Sequence, residues 1–236
     1  MEETQKKQTH YVISFITELL GTAILEFLGC MGCIFSFNLG PLLPAFAFGF
    51  AVMIPVQIFS HISSCHMNPA VSIAFLIFGD MEWKRCLIYI AAQYVGSLLG
   101  FGLLTVVTPK TEKMCLLRLK VGITPTQGFF LEFLCTVVLI IFVFGAIDSK
   151  NATYRDSFCL RLGLMISGLV FSVESFTGAG LNPARSFPPA LFENIWKDHW
   201  IYEIAPILGM ATGAILYRFV LKEDEKYSLN NWLAKR

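Results

Sequence analysis

The chain has 236 residues, of which 55% are hydrophobic and 15% charged, with a formal net charge of +1. Soluble domains carry about 25% charged residues, so this composition, with a mean hydropathy of +0.62, is that of a membrane protein. A near-neutral balance also lacks the basic footprint of a nucleic-acid binder, and no nucleic-acid partner is expected.

A spanning helix needs roughly 20 predominantly apolar residues. After a short polar stretch, 1–10, comes the run Tyr11–Phe35. It is too long for a signal-peptide core and lacks a small-residue cleavage site, so it reads as the first span. Leu42–Phe59 is the second span, and the apolar piece Pro69–Phe78 that follows it is half the required length. Cys86–Val107, Gly128–Ile147 and Leu160–Phe176 are further spans. A second short piece, Pro183–Phe192, precedes the last span, Trp200–Leu221, and a charged tail closes the chain at 222–236. Both short pieces start with Asn-Pro, a helix start in which Asn caps and Pro occupies the first turn. The predicted fold is an all-α membrane protein with six transmembrane helices and two re-entrant half-helices.

The two halves repeat. Asn68-Pro69-Ala70 recurs 114 residues later as Asn182-Pro183-Ala184. The same offset carries Glu18 onto Glu132, Thr22 onto Thr136, Gly49 onto Gly163, Ser63 onto Thr177 and Ser72 onto Ser186. With one residue fewer, Gly96 and Gly100 fall on Gly209 and Gly213, pairs whose spacing permits close helix crossing. The repeat halves are about 11–107 and 128–221. An odd number of spans per half inverts one half against the other, so the half-helices enter from opposite faces and meet near the midplane. Non-helical backbone at that depth survives only where it lines a water-filled cavity or is buried in protein. The arrangement implies a pore.

Lys and Arg concentrate on one side if the N-terminus is cytosolic, with Lys110, Lys113, Arg118, Lys120 and Lys197 alone on the other. Both termini are therefore expected in the cytosol. The sequon at Asn151 would then face the cytosol and is read as unglycosylated. The seven cysteines, Cys30, Cys33, Cys65, Cys86, Cys115, Cys135 and Cys159, lie mostly in apolar runs and are expected as small buried hydrophobes rather than disulfides. Cys30 and Cys33 form a C-x-x-C inside a span without a second ligand pair, so neither zinc nor redox use is expected.

The chemistry can be read residue by residue. Each half-helix N-terminus carries roughly +0.5 charge, and two facing ends oppose cations and protons. The amides of Asn68 and Asn182 can donate to one permeating oxygen and so interrupt a proton-conducting water wire. Glu18 and Glu132 are carboxylates inside spans, where such groups are costly and functional. Their equivalence suggests that each accepts backbone N–H bonds from a re-entrant loop. Glu26 has no counterpart, because Ile140 occupies the matching position.

With His61-Ile62-Ser63, His66-Met67-Asn68-Pro69-Ala70-Val71 and Thr177-Gly178-Ala179-Gly180-Leu181-Asn182-Pro183-Ala184-Arg185-Ser186-Phe187, the chain resembles an aquaporin of the major intrinsic protein family. The resemblance covers Tyr11 to about Leu221. It implies a channel domain over 11–221 and a pore wall of acceptor carbonyls from Ser64, Cys65, His66, Gly178, Ala179 and Gly180. It also implies a homotetramer with one pore per subunit, and a selectivity filter of Phe48, Val170, Ala179 and Arg185. Water-selective members usually carry His where this chain has Val170. Glycerol channels usually carry Asp after the filter Arg, where this chain has Ser186. The mixture resembles the insect entomoglyceroporins. The implied function is passive flux of water and small neutral solutes such as glycerol and urea across a membrane, the plasma membrane by expectation, with ions and protons excluded. A strictly water-selective channel, and a closed-pore junctional or adhesion protein, remain the alternatives. No H-E-x-x-H or G-x-S-x-G motif and no paired intramembrane Asp points to an enzyme, and no cofactor or metal is expected.

Overall fold

The computed structural model describes residues 2–34, 40–109 and 115–222, with side chains from residue 9 onward. Apart from Lys222, the charged tail lies outside the described residues, as do Met1, Phe35, Lys110 and Lys113. Among these residues eight α-helices follow in order: α1 (Glu2–Ile34), α2 (Leu42–Ser63), α3 (Pro69–Phe78), α4 (Trp83–Val107), α5 (Pro125–Ile147), α6 (Phe158–Thr177), α7 (Pro183–Glu193) and α8 (His199–Leu216). A 3-10 segment, Ser149–Ser157, leads into α6, and a π-turn, Tyr217–Leu221, extends α8. Among the described residues six helical stretches are long and apolar enough to cross a membrane.

Several helices outrun their apolar stretches. Helix α1 begins at Glu2, α2 continues through His61 to Ser63, and α4 starts at Trp83. Hydropathy marks where the chain meets lipid, whereas the helix persists as long as each N–H finds its carbonyl. The N-terminus of α5 is fixed by a reciprocal capping box, Thr124 with Gln127.

Helices α1, α2 and α4 with half-helix α3 form one half; α5, α6 and α8 with half-helix α7 form the other. Glycine sets the closest approaches. A Cβ on Gly96 or Gly100 would collide with the carbonyls of Leu19 or Ala23 on α1, and Gly209 stands in the same relation to Phe133 on α5. Gly49 of α2 abuts Gly163 and Ser167 of α6, joining the halves. The half-helices interlock them further, since α3 packs on α8 as well as on α4, and α7 packs on α4 as well as on α8. Outward positions such as Leu99, Leu103, Leu134 and Leu208 are exposed and apolar, a surface suited to lipid rather than water.

Candidate functional site

The two half-helices start alike. Asn68 and Asn182 cap α3 and α7 in extended backbone, each followed by Pro at the first helical position. Asn68 Oδ1 accepts from the Ala70 N–H at 2.9 Å, and Asn182 Oδ1 from the Arg185 N–H at 3.4 Å. Each amide also reaches across the pseudo-two-fold. Asn68 Nδ2 donates to the Leu181 carbonyl at 3.0 Å, and Asn182 Nδ2 to the Met67 carbonyl at 2.8 Å. An amide nitrogen has two hydrogens, so each Asn keeps one for whatever passes between them.

The loops leading into these caps take unusual backbone. Ser64, Cys65 and Met67 have φ of 76°, 49° and 51°, and their repeat mates Gly178, Ala179 and Leu181 have 88°, 56° and 55°. For non-glycine residues this left-handed conformation costs about 1–2 kcal/mol each. Two buried carboxylates hold it. The N–H groups of His66 and Met67 donate to Glu18 Oε1 and Oε2, both at 2.8 Å, joined by Gln93 Nε2 at 2.8 Å and Ser63 Oγ at 3.3 Å. On the other side Gly180 and Leu181 N–H donate to Glu132 Oε1 and Oε2 at 2.9 and 2.7 Å, and Thr177 Oγ1 adds a bond of 2.6 Å. Each carboxylate thus supplies acceptors for buried backbone groups that lie outside any helix.

A cavity of about 310 Å³ runs past these loops. Its lining includes Asn68 and Asn182, the loop residues Ser64, Cys65, His66, Ala179 and Gly180, and the side chains of Phe48, Val170 and Arg185. The rest of its wall is apolar, with Leu25, Val52, Val56, Leu139, Val143 and Ile166 among the contributors. Arg185 is 3% exposed. Its guanidinium carbon lies 4.5 Å from the centre of the Phe48 ring, a cation–π pair. Its Nη1 donates to the Cys115 carbonyl and its Nη2 to Cys115 Sγ, both at 3.1 Å. One cavity therefore combines a fixed cation stacked on Phe48, a largely aliphatic wall and two amide donors at the N-termini of α3 and α7.

The sequence matches the model of the major intrinsic protein family over residues 5–217. The chain belongs to that family. It is 36% identical over 214 residues to the lens fiber major intrinsic protein of Gallus gallus, covering 88% of this chain and 81% of that one. It is 34% identical over 183 residues to aquaporin-4 of Homo sapiens, covering 76% of this chain and 56% of the relative. In fold it superposes on the X-ray structure of the aquaglyceroporin from Plasmodium falciparum with a TM-score of 0.78 at 23% identity, over 89% of this chain and 97% of the other. As a member of the family the protein is a multi-pass membrane channel for water and small solutes, not an enzyme.

Most of the expected site residues of this major intrinsic protein meet at the one cavity. Pro69, Ala70, Pro183, Ala184, Glu18, Glu132 and Gly178 are not among its lining residues; Gly178 ends α6 in left-handed backbone. Two residues absent from the expectation matter to the loops. Tyr89 OH donates to the Ser63 carbonyl, and Tyr202 OH to the Thr177 carbonyl at 2.7 Å. They stand 113 residues apart, the offset that relates the glycine pairs, so the repeat would have revealed them.

The reading of the cysteines needs correction. Cys30 and Cys115 form a disulfide with a Cα–Cα distance of 5.3 Å. Hydropathy places Cys30 in a helix, but its partner is 85 residues away on a loop that folds back over the end of α1. That proximity is a property of the assembled bundle, and no local pattern announces it.

Proposed function

We propose that this channel passes water and small neutral solutes, including glycerol and urea, and excludes ions and protons. The observation that carries the reading is that Phe48, Val170, Ala179, Arg185, Asn68 and Asn182 line one shared cavity. Val170 gives the cavity that holds the guanidinium an aliphatic face. A polyol can lay its carbons on Phe48 and Val170 while its hydroxyls bond Arg185 and the loop carbonyls. At the middle, the remaining Asn hydrogens orient a water oxygen, and the two half-helix N-termini raise the potential against cations.

Glu18 and Glu132 act as braces in this reading, holding the acceptor carbonyls of Ser64, Cys65, His66, Ala179 and Gly180 in register. The carbonyl of Gly178, which ends α6, is assigned to the same acceptor wall. Both termini are placed in the cytosol and the protein in the plasma membrane as a homotetramer. The position of the disulfide supports that orientation, since the end of α1 opposite the N-terminus would then face an oxidising compartment.

Stopped-flow measurement on proteoliposomes tests the proposal, with sucrose to report water and then glycerol and urea gradients. Re-swelling in glycerol and urea well above empty liposomes is the expected result. Water flux without glycerol re-swelling would leave a strictly water-selective channel.

A further inference from the structure

The Cys30–Cys115 disulfide sits where two walls of the filter are backed from behind. On α1, Gly29 lies directly against the Phe48 ring, so closely that a Cβ there would collide with it, and Gly32 lies equally close to Ala47. The next residue after Gly29 is Cys30, wholly buried. Its disulfide partner Cys115 supplies the two acceptors that hold Arg185, a carbonyl and a sulfur. The covalent bond therefore joins the helix that supports Phe48 to the loop residue that supports Arg185.

The loop beyond Cys115 is fastened at a second point. The Lys120 N–H donates to the Phe176 carbonyl at 2.9 Å, and Lys120 Nζ pairs with Glu174 at 3.5 Å. Between the two points Leu117 lies over Gly178 and Gly180 of the second re-entrant loop. Without the disulfide, the Lys120 attachment and the packing of Leu117 would still keep the loop near the pore, but the backbone polar attachment lies five residues from Cys115. The carbonyl that fixes the guanidinium would then be free to move with the loop.

Glu26 completes the cluster. It is fully buried, one turn before Cys30, with Oε1 3.1 Å from Cys30 Sγ and Oε2 without a partner. Cys33 Sγ lies 3.5 Å from Cys115 Sγ. A second sulfur on α1 is thus within reach of Cys115 if Cys30 is removed.

We infer that the Cys30–Cys115 disulfide is a positioning device for the selectivity filter: it clamps the loop that orients Arg185 to the helix that backs Phe48, and so sets how strictly cations are refused. Cys30 and Cys115 touch no permeating solute in this scheme and act through Arg185. The inference rests on Arg185 being the filter charge, and the test separates the two.

Purified channel is reconstituted in liposomes, and water and methylammonium permeabilities are measured per channel before and after treatment with a water-soluble phosphine. The phosphine, with one water supplying the oxygen and both hydrogens, converts the disulfide to two thiols and is itself oxidised to the phosphine oxide. Peptide mass mapping with thiol alkylation shows how much of the bond is oxidised in each sample. The expected result is a methylammonium-to-water ratio that rises about fivefold on reduction, the equivalent of about 1 kcal/mol for one lost hydrogen bond. The Cys30→Ser/Cys33→Ser double variant should show the raised ratio without reductant. Cys30→Ser alone, prepared in air so that dioxygen takes up the two electrons and two protons of the thiols, should show less, because Cys33 can take over the bond to Cys115. In an Arg185→Val background reduction should change nothing further, a result that a general loss of stability would not produce.

A ratio unchanged in channels shown to be fully reduced overturns the inference, as does the finding that Cys30 and Cys115 are thiols in the native protein. If the phosphine leaves the bond intact, the double variant decides by the same ratio: raised, it supports the clamp, and unchanged, it overturns it. If Arg185→Val itself leaves the ratio at the wild-type value, the filter reading fails, independently of the disulfide.

Discussion

Val170→His tests the filter most directly. Val170 is 4% exposed and lines the cavity with Phe48 and Arg185. At this level the polar groups already present are the guanidinium, whose Nη1 and Nη2 bond Cys115, and the loop backbone. An imidazole in place of the isopropyl group narrows the opening and adds one N–H donor to a face that a polyol would meet with carbon. A donor left unpaired there costs about 1–3 kcal/mol, which corresponds to about a five- to 150-fold drop in passage. Water can satisfy the new donor and should be affected by no more than about twofold on the same scale. The assay is stopped-flow light scattering on proteoliposomes, with both fluxes divided by the number of channels so that poor folding cannot mimic selectivity. Glycerol flux falling at least about fivefold with water nearly unchanged is the predicted outcome. A folded variant that keeps its glycerol-to-water ratio would refute the reasoning, and so would a wild type that passes no glycerol.

Three further perturbations follow from the same geometry. Arg185→Val removes the fixed cation, and a proton or ammonium leak should appear while water flux persists; a pH-sensitive dye inside the liposomes reports it, and a variant as tight as wild type would show that Arg185 is not the filter charge. Glu132→Leu strands the Gly180 and Leu181 N–H groups, each now bonded at 2.9 and 2.7 Å. At about 1–3 kcal/mol per buried orphan, its unfolding temperature in detergent should drop well below that of wild type, with Glu132→Gln between the two; equal melting of all three would remove the bracing role. Gly96→Leu should abolish the close packing of α1 on α4, because a Cβ there meets the Leu19 carbonyl, whereas Gly168→Ala, with open space around it, should fold and conduct normally. Size-exclusion profiles of the two variants decide this pair.

Much of the site was legible in the chain because the fold is written twice. A single Asn-Pro-Ala is an ordinary helix start, but two at a fixed offset, with Glu18 and Glu132 in step, imply inverted halves and a midplane junction. Bilayer physics then permits few alternatives, since irregular backbone at that depth must line a cavity or be buried. Helix ends were less legible where polar residues continued a helix beyond its apolar run, as at His61–Ser63.

What the sequence determined by itself was therefore the membrane class, the number of spans, the two half-helices and the residues that cap them. These depend on hydropathy, local capping and an internal repeat, all of which are readable along one dimension. The tertiary structure alone decided which groups satisfy one another: Asn68 with the Leu181 carbonyl, Asn182 with that of Met67, and Arg185 with Cys115. It alone paired Cys30 with Cys115 across 85 residues. Such contacts join segments brought together only when the two bundles close on each other, and no periodicity of either segment encodes the other's position.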